Sequence, residues 1–216
     1  MRSSSNIDVI FRGPYGSTFS SIFDPNTKGA IIIGAGTGLS AVESCLRAML
    51  YRKRTGQYTP PHVWVMWQTR RVGDLLWMWD SLNELLIEAL NDGTIQKSKI
   101  WSPNKSQYLG FLGLTFFISR ADQNQLDTLR SMPRNPRDVH NLHTWLTNRS
   151  RILQSSLSNE GTHIRKYVKH IRAFMNRAEG RNSKLAIGFC GPTPVAKIIS
   201  DAASDYAKVE FSYATE

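Results

Sequence analysis

The chain has only two cysteines, Cys45 and Cys190, among 216 residues. That scarcity excludes a disulfide-stapled scaffold and suits a reducing compartment. Long apolar runs are missing as well: none approaches the roughly 18–20 residues that cross a bilayer. Met1-Arg2-Ser3-Ser4-Ser5-Asn6 is followed by no apolar stretch, so no secretory leader is expected. CxxC and HExxH spacings do not occur, and the five histidines stand apart from the two cysteines, so no metal ligand set is expected. No internal repeat is visible. Acidic residues are the scarcer charge, 17 against 27 Lys and Arg, giving a net charge of +10 and a pI near 9.9. Such an excess points to an anionic partner: nucleic acid, anionic lipid or a phosphorylated cofactor. Basic and aromatic residues are not interleaved and no nucleic-acid motif is present, so nucleic acid is not expected.

What remains is an ordinary globular composition, 41% hydrophobic and 20% charged. The length suits one well-buried α/β domain. Residues 7–13 alternate apolar and polar as a strand does, ahead of the turn Gly13-Pro14-Tyr15-Gly16. Residues 30–34 read as a buried strand. Leu39, Val42, Leu46 and Met49 then mark one face of a helix over 38–54. A second strand is expected at 62–68, and a helix from Asp74 to about Leu90, with Leu75, Trp79, Leu82, Leu86 and Ala89 inward. A third strand is read at 114–119, and residues 121–141, with Pro133 and Pro136, as the least structured stretch. Residues 142–157 read as helical, and a clear helix follows over 162–178. The chain closes with a strand at 185–189, a helix over 194–206 with Thr193 as N-cap and Pro194 at its first position, and a strand at 209–213. Strands alternating with helices, with continuous apolar strands, predict an open parallel sheet of Rossmann-like α/β type with helices on both faces.

Two turns concentrate the chemistry. Ala30-Ile31-Ile32-Ile33 runs into Gly34-Ala35-Gly36-Thr37-Gly38-Leu39-Ser40, and Leu185-Ala186-Ile187-Gly188-Phe189 runs into Cys190-Gly191-Pro192-Thr193-Pro194. Each is strand, small-residue turn, helix. Such turns at strand C-terminal ends are where open parallel sheets bind nucleotides, and the helix N-terminus beyond offers unpaired N–H groups to phosphate. Gly36 and Gly38 either admit a cofactor backbone or simply close the turn. Ser40 either caps the helix, touches phosphate, or does both. Strand two ends in Gln68-Thr69-Arg70-Arg71, without an acid. An acid there binds the ribose 2′-hydroxyl of NAD, whereas arginine accommodates the 2′-phosphate of NADP, so NADPH is favoured over NADH. The alternative is that Arg70 and Arg71 are solvated loop charges. Cys45, in mid-helix, reads as packing.

The order of Gly13-Pro14-Tyr15-Gly16, the glycine loop at 34–40, Trp67-Gln68-Thr69-Arg70 and Phe189-Cys190-Gly191-Pro192 resembles the NADPH-binding half of the ferredoxin-reductase-like flavoenzymes. Within these it is most similar to the dehydrogenase region of NADPH oxidases and the related ferric reductases. The resemblance implies that residues 1–16 are the end of a flavin-binding barrel and its linker, and that 17–216 form the NADPH-binding domain. It implies cofactor contacts from Gly13, Pro14, Tyr15, Gly16, Gly34, Ala35, Gly36, Thr37, Gly38, Ser40, Thr69, Arg70, Arg71, Cys190, Gly191 and Pro192. Cys190 would lie beside the nicotinamide and help align hydride transfer to flavin, unless it is a small packing residue, as free cysteine often is. The implied enzyme is a membrane flavocytochrome, with this soluble segment on the cytosolic face. It would pass electrons from NADPH through FAD and heme to oxygen, or to a ferric chelate. The implied partners are the FAD-binding and heme transmembrane domains of the parent chain.

Departures are also visible. Ser40-Ala41 stands where the family has Thr-Pro, and no terminal aromatic follows Tyr213. The motifs of a flavin-binding segment and heme-bearing helices are absent, so an excised or truncated piece is expected, one that binds a dinucleotide without an electron acceptor of its own. A catalytically silent regulatory or docking module is the alternative of another class. Arg165, Lys166, Lys169, Arg172 and Arg177 on the 162–178 helix form either a solvated face or a surface for the anionic membrane leaflet or a regulatory subunit.

Overall fold

A computed structural model describes residues 19–70, 74, 79–94, 112–118, 151–154, 165, 169 and 183–214, with backbone alone for 79, 80, 83, 86, 90, 112–118 and 151–154. Six strands among the described residues form one sheet: β1 (Thr27–Ala35), β2 (His62–Thr69), β3 (Leu112–Ile118), β4 (Arg151–Gln154), β5 (Lys184–Cys190) and β6 (Val209–Ala214). Their order is β4-β3-β2-β1-β5-β6 and every pairing is parallel. The described α-helices are α1 (Leu39–Arg54), α2 (Trp79–Asn91) and α3 (Thr193–Ser204). The expected open parallel α/β sheet is therefore the fold.

The sheet's hydrophobicity follows its topology. β1 lies between β2 and β5 and is buried on both faces, so it needs the unbroken run Ala30-Ile31-Ile32-Ile33 rather than alternation. β6, at one edge, is only partly buried. Ile31, Ile33, Trp64, Met66, Ile187 and Phe189 pack with Val195, Ala196, Ile199 and Ala203 of α3. Gly34, one residue out of phase, faces the other way, and a Cβ built on it would sit 2.6 Å from Val42 Cγ2 of α1. Helices α1 and α3 thus cover opposite faces. The inward stripe of α1 is as expected, with Cys45 buried beside it. Burial pushes the Cys45 thiol up to about 12, so it is unreactive. Salt bridges from Arg54 to Glu88 (2.9 Å) and Asp92 (2.5 Å), and a hydrogen bond from Ser81 Oγ to Glu43 Oε1 (2.6 Å), hold α2 against α1.

Three details depart from the sequence reading. Residues 151–154, expected to be helical, form β4, paired with β3 from Thr115↔Arg151 to Ile118↔Gln154. Two apolar residues, Ile152 and Leu153, are too few to reveal a period, and the open edge of β3 decides the conformation. Thr193 is the first residue of α3, not its cap. Extended Pro192 takes the cap position, its carbonyl accepting the N–H groups of Val195 (3.0 Å) and Ala196 (3.2 Å), and Pro194 is second. Leu85, not among the expected inward residues, is buried alongside Leu82 and Ala89. The strand at 7–13, the stretch 121–141 and most of the 162–178 helix lie outside the described residues. Arg165 and Lys169 are helical and exposed, and Arg165 pairs with Asp205 at 2.8 Å.

A 3-10 turn at Ser20–Phe23 closes the α1 side of β5. Phe19 and Ile22 lie over Gly188, where a Cβ would come within 2.3 Å of Phe19 Cδ1. Gly188→Val is expected to lower stability by about 2–3 kcal/mol, the upper part of the overpacking range. Urea unfolding measures it; an unchanged midpoint would show that Phe19 moves aside freely.

Candidate functional site

The carboxyl ends of β1, β2 and β5 lie side by side. The register pairs Gly34 with both Trp67 and Cys190, and Ala35 with Gln68. The glycine turn and the Cys190 turn, more than 150 residues apart in sequence, therefore meet at one sheet edge. Their contact is close: a Cβ on Gly38 would fall 2.0 Å from the Cys190 carbonyl oxygen and 2.6 Å from its carbon. Gly191 approaches from the other side. At φ 151° it occupies backbone space that favours glycine, and a Cβ there would meet Ala35 Cβ at 2.9 Å. Its N–H donates to Ala214 O at 3.2 Å, tying the turn to the end of β6.

The glycines do different work. Gly34 and Gly38 are buried and make room for protein, namely Val42 and Cys190. Gly36 is exposed, has φ 60°, and would place a Cβ in space with no atom within 4 Å. It is the apex of the turn, and the room above it is open. Thr37 and Ser40 are exposed beside it. Ser40 Oγ donates to Thr37 O at 3.1 Å, so its hydroxyl braces the turn. The N-cap position of α1 is Gly38, which has no side chain to cap with, and no acid occupies the first turn. The N-terminus of α3 rises from the same edge, again without a side-chain cap or a first-turn acid. Two partially positive helix ends with nothing acidic in their first turns suit an anion.

One strand over, Thr69 is buried at the end of β2 and Arg70 is exposed just beyond it. Among the described residues Arg70 forms no ion pair. Cys190 is half-buried and forms no disulfide. Gly13, Pro14, Tyr15, Gly16 and Arg71 lie outside the described residues.

The family model of the ferric reductase NAD binding domain matches residues 29–204, from within β1 to the end of α3. The chain belongs to that family. The ferric reductase NAD-binding domain also resembles solved structures: the CS-b5R domains of human Ncb5or in the NAD+ form (14% identity, TM-score 0.45, 93% of this chain and 40% of that one). A mutant ferredoxin-NADP+ reductase from Plasmodium falciparum in complex with 2'P-AMP is a second (13% identity, TM-score 0.32, 96% of this chain and 57% of that one). The chain thus spans roughly half the length or less of the first of these. No curated protein matches its sequence. The chain is an NAD(P)-binding domain of the ferric reductase family.

The residues present fit a dinucleotide: an open glycine apex, two uncapped helix ends and an exposed guanidinium share one edge. Sequence reasoning missed one neighbour. Strand two ends without an acid, yet Thr69 Oγ1 donates to Asp74 Oδ2 at 2.8 Å, so a carboxylate reaches the end of β2 after all. Its signal was an acid five residues on, but the bond to Thr69 is visible only in the structure.

Proposed function

We propose that the domain binds NADPH across the carboxyl edge of β5, β1 and β2. The nicotinamide end lies toward Cys190, Gly191 and Pro192, the pyrophosphate over Gly36, and the 2′-phosphate against Arg70. The observation that carries this reading is the abutment of the two turns, with Gly36 facing open space between two uncapped helix N-termini. The main-chain N–H groups at the start of α1 hold phosphate oxygens, and Ser40, bonded to Thr37 O, keeps the turn in shape. The half-buried Cys190 lines the nicotinamide end and restricts the ring's position. Arg70 supplies charge and paired N–H donors that a dianionic phosphate accepts. NADPH, when bound, supplies hydride for a flavin.

Within this reading the domain is the NADPH-binding part of a transmembrane flavocytochrome of NADPH oxidase type, with FAD and heme held by other segments of the parent chain and oxygen as acceptor. A ferric chelate is the alternative acceptor, and the ferric reductase family match favours keeping it. No described helix is long and apolar enough to cross a membrane. The partners in this reading are the FAD-binding and heme domains, with the basic surface near Arg165 and Lys169 facing anionic lipid or a regulatory subunit.

Calorimetric titration of NADPH and NADH tests the binding reading. Arg70→Ala is expected to weaken NADPH by about 10- to 150-fold, the loss of one charge-assisted contact, and to leave NADH nearly unchanged. No saturable NADPH binding by the wild-type chain, or equal weakening of both dinucleotides, would overturn it.

A further inference from the structure

Among the described residues, the Asp74 carboxylate at the end of β2 carries a charge that opposes the proposed ligand's. We propose that Asp74 is a second reader of the adenosine ribose: it accepts a hydrogen bond from a free 2′-hydroxyl and disfavours a 2′-phosphate, so that the site takes NADH as well as NADPH. The inference rests on the dinucleotide-binding reading and deepens it.

Three observations support it. Asp74 is exposed, so a ligand can reach it. Its Oδ2 accepts from Thr69 Oγ1 at 2.8 Å, and Thr69 is buried in the last position of β2, so the carboxylate is tethered to the strand end rather than swinging on a loop. Arg70 follows Thr69 in the chain, so a cationic residue and the carboxylate share one strand terminus, although no ion pair joins Arg70 to Asp74. At this place in an open parallel sheet an acid suits the ribose diol and an arginine suits the 2′-phosphate. A site with both divides its preference. Arginine attracts phosphate, while the carboxylate repels it and offers acceptors that a phosphate ester cannot use. Thr69 acts through Asp74 as a positioning residue.

The test uses the full 216-residue chain with Asp74→Asn, which keeps an acceptor for the Thr69 hydroxyl while removing the charge. NADPH is expected to bind about two- to fivefold more tightly and NADH about two- to fivefold more weakly, so their affinity ratio moves by about tenfold toward NADPH. The gain for NADPH should shrink when salt is raised from about 0.05 to 0.5 M, because repulsion between exposed charges is screened. Adenosine 2′,5′-bisphosphate and AMP, titrated in the same way, should show the same shift in ratio, placing the effect at the adenosine end. Asp74→Ala should move the ratio in the same direction, which guards against a peculiarity of one variant. An unmoved ratio in both variants, with wild-type binding intact, overturns the role of Asp74 and leaves the binding reading standing. Failure of the wild-type chain to bind either dinucleotide overturns both.

Discussion

Gly36→Val is expected to leave no saturable NADPH binding at millimolar concentration while the domain stays folded. Two independent costs meet at this residue. Its φ of 60° lies in the left-handed region, where a side chain costs about 1–2 kcal/mol and a β-branched one more. Relief of that strain moves the main chain away from the shape that presents the start of α1 to a phosphate. The second cost falls on the ligand. A Cβ at Gly36 meets no protein atom within 4 Å, so valine fits the empty protein, but its methyl groups occupy the space assigned to the pyrophosphate. The expected signature is therefore an asymmetric one: a Tm lowered by only about 2–8 °C, from the strain divided over a domain of this size, and a lost calorimetric titration. Gly36→Ala, carrying the same φ penalty with one methyl group, should retain weakened binding. If valine leaves the NADPH affinity unaltered, the dinucleotide does not cross the apex of this turn.

That asymmetry was only partly legible in the amino-acid sequence. Three glycines at alternate positions after a run of isoleucines announced a strand, a turn and a helix, because each has a local physical cause: apolar continuity in β1, absence of side chains in the turn, helical spacing from Leu39 to Met49. The division of labour among the glycines had no such signal. Gly38 needs to be glycine because of Cys190, more than 150 residues away, and that contact exists only once β5 has paired with β1. The same limit explains β4 and Asp74. Arg151–Gln154 becomes a strand because the edge of β3 is open to it, and Asp74 joins the end of β2 through its hydrogen bond with Thr69. Buried, long and strongly periodic segments were readable. Features that depend on which distant element arrives alongside were not.

Gly38→Ala should produce the opposite balance to Gly36→Val, losing stability and binding together. The atom it adds would lie 2.0 Å from the Cys190 carbonyl oxygen and 2.6 Å from the carbonyl carbon, and neither is the movable end of a side chain. Main chain must therefore part from main chain, at the junction of the neighbouring inner strands β1 and β5. The ordinary overpacking range is about 1–3 kcal/mol, and a backbone-to-backbone clash belongs at or above its top, so Tm is expected to fall by about 6–12 °C. Binding of NADPH and NADH should fall alike, because separating the turns affects the part of the site common to both. Thiol labelling adds a local readout. Cys45 is buried, with its thiol raised to about 12, so a thiol reagent reports on Cys190. In the wild-type chain NADPH should slow that labelling. In the variant Cys190 should react faster and NADPH should no longer protect it. A variant with wild-type Tm, affinity and labelling rate would mean that the two turns do not depend on each other, and the shared edge could not be one site.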